Sequence, residues 1–158
     1  MAHLSEGFTA ELRAVLAAEA LSAQRYTYFA QVAEIEGHTE VAQHFTDLAA
    51  SVACAAHGHL DVLRDATVEG TGPDIGETAL NLASSVADAL QDAGETYPRL
   101  TAAAHAEGQV DIASWLTTLA ALKKSHVTKL DALLSELTGA AAATATATTA
   151  PVSGGTDD

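Results

Sequence analysis

The stretch EALSAQRYTYFAQVAEIEGHTEVAQHFTDLAASVACAAHGHLDVL, residues 19–63, decides the fold. Before its central Gly37, the residues Glu19, Ala23, Tyr26, Ala30 and Ala33 recur every three or four positions. With Phe8, Leu12 and Leu16 upstream they make one face of a helix from about Thr9 to Glu36. After it, Val41, Phe45, Leu48, Val52, Ala55, His59 and Val62 repeat the same period to about Asp65, with Thr39 placed as N-cap. Gly37 stops the first helix, and only two or three residues separate it from the second, so the pair must fold back as an antiparallel hairpin.

The second half of the chain reads the same way. A third helix is expected from about Thr78 to Glu107, with Leu82, Val86, Ala89, Ala93, Tyr97, Leu100 and Ala104 inward. Pro98 lies inside it, and its ring would meet the carbonyl of Gly94, so a bend is expected there. Gly108 breaks the chain and Asp111 can cap a fourth helix running to about Leu137. That helix turns Ile112, Leu116, Leu119, Lys123, His126, Leu130 and Leu133 or Leu134 inward. The two hairpins resemble an internal repeat displaced by 71 positions: Tyr26 matches Tyr97, Glu36-Gly37 matches Glu107-Gly108, Ala42 matches Ala113, and Leu48-Ala49 matches Leu119-Ala120.

Between the hairpins, ATVEGTGPDIGE (66–77) carries the Gly and Pro of a loop. Twelve extended residues reach about 40 Å, the length of a helix of about 27 residues, so the loop can cross the length of a bundle, and a compact turn is also compatible. The expectation is all-α: a four-helix bundle of two helical hairpins over residues 1–138, joined by a crossover loop. Residues 139–158, GAAAATATATTAPVSGGTDD, are low-complexity and are expected to form a flexible acidic tail.

Composition excludes several classes. The chain has 158 residues, 36 of them Ala, only 4% aromatic residues and three Pro, which rules out an all-β or collagen-like protein. Twenty-one acids against seven bases give a formal charge of −14, which repels nucleic acid and anionic membranes, and Lys123-Lys124 is the only basic doublet. No apolar run reaches about 18 residues, so no membrane span is expected. A single cysteine, Cys54, excludes an internal disulfide and any rubredoxin-like or zinc-ribbon centre made of Cys-x-x-Cys pairs. The start, MAHLSEGFTAEL, lacks a basic segment followed by an apolar one. A soluble, cytoplasmic protein is expected, with neither nucleic acid nor membrane as partner.

The run EALSAQRYTYFAQVAEIEG (19–37) resembles the first helix of rubrerythrins, with a glutamate seven residues before RYTYFA's tyrosine and Glu-Gly at the end. AHGHLDVL (56–63), GETYPRL (94–100), AHAEGQVDIASWLTTLA (104–120) and KKSHVTKLDALL (123–134) are similar to later parts of the same family. The resemblance covers about residues 8–137 and implies a ferritin-like four-helix bundle. It also implies a di-iron centre held by one Glu on the first helix, Glu-x-x-His on the second, one or two Glu on the third and Glu-x-x-His on the fourth. Two irons close together need several carboxylates to neutralise them, and i, i+3 spacing puts Glu and His on one helix face.

Carried over residue by residue, that set falls on Glu19; on Val52 and Ala55; on Ala89 and Asp92; and on Lys123 and His126. Glu19, Asp92 and His126 can still bind a metal, whereas Val52, Ala55 and Ala89 cannot, and Lys123 puts an ammonium where an acid belongs. The resemblance therefore implies a degenerate site, with Lys123 paired to Glu19, Asp92 or both, and no metal bound. The competing expectation is that Lys123 runs out to solvent along the bundle.

Other residues read as structural. His38, His44, His57, His59 and His105 lack an i, i+4 partner His, while His57 with Asp61 and Glu40 with His44 have the spacing of surface links. Cys54 reads as a small packing residue, and Tyr26, Tyr28 and Tyr97 as core or interface aromatics. Two functions follow. One is a metal-free, non-catalytic bundle acting in binding, structure or as cargo, with close packing or a small apolar pocket where ligands were. The other is a peroxide-reducing oxidoreductase using iron or manganese on Glu19, Asp92 and His126. The resemblance further implies a homodimer or higher homo-oligomer, and the tail offers a docking peptide for a protein partner, although it holds no apolar docking motif.

Overall fold

The computed structural model describes residues 2–68 and 75–148. Its elements are β1 (Ala2–Leu4), α1 (Glu6–Ile35), α2 (Thr39–Asp65), β2 (Ala66–Val68), α3 (Thr78–Gln91), a π-helical turn (Asp92–Thr96), α4 (Tyr97–Ala106) and α5 (Val110–Thr148). The fold class is all-α, as expected for a ferritin-like helical bundle. The chain divides into two compact units, Met1–Ile75 and Gly76–Asp158, each built on an antiparallel helical hairpin.

In the first unit, Ser5 caps α1, its hydroxyl accepting from the Phe8 N–H at 3.3 Å. The helix ends on a left-handed glycine: Gly37 has φ 85°, its N–H donates to the Glu34 carbonyl, and the His38 N–H reaches back to the Ala33 carbonyl at 2.8 Å. The same two bonds recur at Gly108 (φ 72°), from Gly108 to His105 and from Gln109 to Ala104, so the repeat extends to the turn geometry. Thr39, expected as a cap, is the first residue of α2, and His38 precedes it.

The hairpin seam differs in phase from the expected stripe on α2. Ala42, Ala56 and Leu63 are buried against α1, whose own buried residues are Thr9, Ala30 and Ala33. Phe45, Val52 and His59 are half-buried, while Val41, Leu48 and Val62 remain 48%, 46% and 47% exposed and Ala55 is exposed. The seam is turned one residue from the stripe of largest side chains, because a methyl group lets two helix backbones approach more closely than Val or Leu can. Phe8, expected inward, is 52% exposed, and Thr9 is buried in its place, its hydroxyl donating to the Ser5 carbonyl at 3.0 Å. One aromatic cluster spans the seam: Tyr26 stacks on Phe45 with ring centroids 6.1 Å apart, and Phe29 meets Phe45 edge-on at 5.5 Å.

Three findings correct the sequence reading. Residues Ala66–Val68, expected as loop, pair in parallel with Ala2–Leu4, His3 lying opposite Thr67. The residues 139–148 of the expected tail continue α5 to Thr148, since a run of alanines is the best helix former available once a helix has started. Cys54 is exposed and is no packing residue. The expected crossover over 69–74 and the tail residues 149–158 lie outside the described residues.

In the second unit, Ala104, Ala113 and Leu116 form the core, with Tyr97 packed against it. The start of α3 is held by Asn81, which accepts from the Gly76 N–H and donates to the Gly76 carbonyl, both at 2.8 Å.

Replacing Gly37 or Gly108 by Ala puts a Cβ into the left-handed region and is expected to destabilise the chain by about 1 kcal/mol each. Urea denaturation checks this; unchanged midpoints would show that the turns tolerate a side chain.

Candidate functional site

The expected bend at Pro98 takes the form of a π turn. The third helix, expected to be continuous, is divided into α3, the turn Asp92–Thr96 and α4. At the junction the Tyr97 N–H donates to the carbonyl of Asp92, five residues back. Pro98 then falls in the first turn of α4, where its missing N–H costs little.

The turn adds one residue to the repeat. Before it, the inward positions Leu82, Val86, Ala89, Asp92 and Ala93 correspond to Leu12, Leu16, Glu19, Ser22 and Ala23, a displacement of 70. Beyond it, Tyr97, Thr101 and Ala104 correspond to Tyr26, Ala30 and Ala33, a displacement of 71. By this correspondence Ala89 stands in the second unit where Glu19 stands in the first, and Asp92 where Ser22 stands.

Asp92 opens the π turn and faces α5. The Lys123 ammonium donates to Asp92 Oδ2 at 2.7 Å, and the two side chains are 30% and 31% exposed. Lys123 Nζ also lies 5.9 Å from the centre of the Tyr97 ring. The hydrogen bond to Asp92 raises the Lys123 pKa above the ordinary 10.5; the charges of Asp92, Tyr97 and Asp88 act in the same direction, and burial acts against them. His126, one turn further along α5, is half-buried. Beside the turn, Leu90, Ala93, Gly94, Lys124 and Val127 line an open groove of about 230 Å³.

The structure thus brings Lys123 and Asp92 together. Glu19 is half-buried on α1 in the other unit, where Val52 is also half-buried and Ala55 exposed, and Ala89 is buried on α3. Among the described residues, no group of three or more His, Cys, Asp or Glu side chains is placed to hold a metal ion, and no helix is long and apolar enough to cross a membrane. Of the residues read as structural, Tyr26 and Tyr97 are half-buried and Tyr28 is 63% exposed. Asp61 pairs with Arg64 at 3.5 Å. Sequence reasoning missed the π turn itself. Its signal was the spacing Gly94-x-x-x-Pro98, read only as a bend.

Comparison with known proteins agrees with this architecture. The family profile described as Rubrerythrin matches residues 11–134. The chain is 30% identical over 125 residues to a protein named Rubrerythrin from Porphyromonas gingivalis, covering 77% of this chain and 62% of that protein's length. It is 27% identical over 138 residues to Rubrerythrin-1 of Clostridium acetobutylicum, covering 82% and 71%. The chain therefore spans less than two thirds of the first relative. A match over most of the helical region, on a fold of two helical hairpins, means that the chain belongs to the rubrerythrin family.

Proposed function

We propose that this chain is a metal-free, non-catalytic member of its family, a cytoplasmic helical bundle acting in binding, structure or as cargo, in which an ion pair stands where the relatives' resemblance implies iron. The observation that carries the reading is the 2.7 Å contact between Lys123 and Asp92. A carboxylate already neutralised by a fixed ammonium is a poor metal ligand, and a second cation beside it would be repelled.

The donor set does not fit a di-iron centre. Val52, Ala55 and Ala89 carry no donor atom, and Lys123 is a cation at the position of a required acid. What is left for a metal is Glu19, Asp92 and His126, and the second of these is engaged by Lys123. The alternative, peroxide reduction on iron or manganese held by these three, has their chemical type in its favour, and it requires Lys123 to release Asp92. Protein grown with iron and manganese supplied is expected to contain far less than one metal ion per chain and to turn over no peroxide. Near-stoichiometric metal, with peroxide consumption lost on His126→Ala, would establish the alternative.

The ion pair has a stabilising role in this reading. Lys123→Met leaves Asp92 half-buried without its partner and is expected to destabilise the chain by about 1–2 kcal/mol at neutral pH. Lys123→Glu is expected to cost more, because it sets a second acid against Asp92. The folded chain raises the Lys123 pKa, so folding favours the protonated amine. The stabilisation is complete below the ordinary value of 10.5 and fades as the pH rises through the higher folded value. Denaturant unfolding of wild type and Lys123→Met on either side of that range checks both points. A difference that stays constant with pH, or an absent one, would leave the pair without the assigned role.

A further inference from the structure

In an α-helix the Ala93 carbonyl would accept from the Tyr97 N–H, four residues on. The π turn gives that N–H to Asp92 instead. The donor one residue later would be Pro98, which has no N–H. Ala93 is buried, and no side chain among the described residues donates to its carbonyl. A buried carbonyl without a donor is costly, so this one is an acceptor open to a partner from outside the chain. Ala93 is also part of the wall of the groove of about 230 Å³ beside the turn, with Leu90, Gly94, Lys124 and Val127. A Cβ at Gly94 would meet nothing within 4 Å, so the groove is open at that point. Leu90, Ala93 and Val127 make its surface apolar, and Lys124 is the one charged residue that lines it. Lys124 is exposed and forms no ion pair among the described residues, whereas Lys123 beside it is engaged by Asp92. Glu95, next in the turn after Gly94, does not line the groove.

We propose that this groove binds a small apolar molecule carrying a carboxylate at one end and a hydrogen-bond donor at the other. The carboxylate meets Lys124, the donor reaches the Ala93 carbonyl, and the apolar body lies against Leu90 and Val127 across the open space at Gly94. Each part of the ligand answers one observation. A cation with no acid paired to it favours an anion, and in a chain of formal charge −14 an anion needs such a local positive charge. A buried acceptor without a partner favours a donor over an apolar group of the same shape, because a water displaced there without replacing its hydrogen bond loses affinity. The volume lies below the roughly 300 Å³ at which sites for drug-sized ligands begin, so the ligand is a single ring or a short chain. An apolar surface with a few convergent polar groups is the usual make-up of a small-molecule site. The π turn builds it, since the change of register that takes the Tyr97 N–H to Asp92 is what frees the Ala93 carbonyl. The proposal does not depend on whether metal is bound.

Titration of the full, isotope-labelled chain with para-hydroxyphenylacetate, followed by amide chemical shifts, tests it. Saturating shifts are expected at Ala93, Gly94, Lys124 and Val127, with a dissociation constant of about 1 mM or tighter. Two analogues each lose one contact: phenylacetate lacks the donor, and para-hydroxyphenylacetamide lacks the charge. Each is expected to bind about threefold more weakly or worse. Lys124→Gln is expected to remove the preference for the acid over the amide, and Gly94→Leu, which fills the groove, to raise the dissociation constant about tenfold or more. Lys124 is exposed, and leucine is a better helix former than glycine, so both variants are expected to keep the helical circular dichroism. If Gly94→Leu loses its helix signal, Lys124→Gln alone decides. Shifts that grow linearly with ligand, saturating shifts elsewhere in the chain, or binding indifferent to the folded variants would overturn the proposal. So would Gly94 and Val127 signals that move with protein concentration and ignore the ligand, since another copy of the chain would then cover the groove.

Discussion

At the seams between helices the buried positions are Ala30, Ala33, Ala42 and Ala56 in one unit, and Ala89, Ala93, Ala104 and Ala113 in the other. A methyl group at these points brings helix backbones close, and close backbones leave little room for Val or Leu in the same row, so that Leu63 and Leu116 are the larger apolar side chains buried there. Most of the large side chains are consequently displaced to the flanks, where they are half-buried or exposed. One constraint therefore fixes both how each hairpin is held and which of its surfaces stays apolar. Two helices alone cannot enclose side chains of that size, since a helix must bury its apolar stripe against another layer. The aromatic cluster of Tyr26, Phe29 and Phe45 is as close as the first hairpin comes to a core of its own.

The charge at the centre of the second unit obeys the same economy of space. Asp92 is a carboxylate among small apolar residues, with Ala89 one turn before it and Ala93 beside it, and such a group needs a cation or several donors. Here the Lys123 ammonium supplies the positive charge from the facing helix, on a stem long enough to reach Asp92 and pass the Tyr97 ring. One ammonium balances one carboxylate, and that is what this contact provides.

Much of this was legible in the sequence. Gly37 and Gly108 marked both turns, because a glycine after a periodic run is how a helix ends in the left-handed region, and both adopt it. The helical period gave the hairpins, and placing Lys123 at the middle of its helix offered Glu19, Asp92 or both as its partner, of which the structure pairs it with Asp92. The phase of α2 was misread because hydrophobicity ranks Val and Leu above Ala, whereas close packing at a seam ranks them the other way. The parallel pairing of Ala2–Leu4 with Ala66–Val68 was invisible, since three-residue strands carry no periodicity and their partners are 64 positions apart. The helical stretch up to Thr148 was hidden by composition. Low complexity suggested disorder, while alanine continues a helix that has already begun.

The π turn links these observations. An inserted residue in a helix rotates everything after it by about 100°, which would carry Tyr97, Thr101 and Ala104 away from the seam if the turn stayed α-helical. Widening the turn absorbs the extra residue, so the seam positions on either side of it keep their facing while the repeat displacement passes from 70 to 71. The turn begins at Asp92 and ends just before Tyr97, the two residues of the third helix region that Lys123 meets. It also delivers Pro98 to the first turn of α4, where a proline is tolerated. A single local irregularity thereby reconciles a proline in mid-helix, the facing of two helical segments and the position of the carboxylate that holds Lys123.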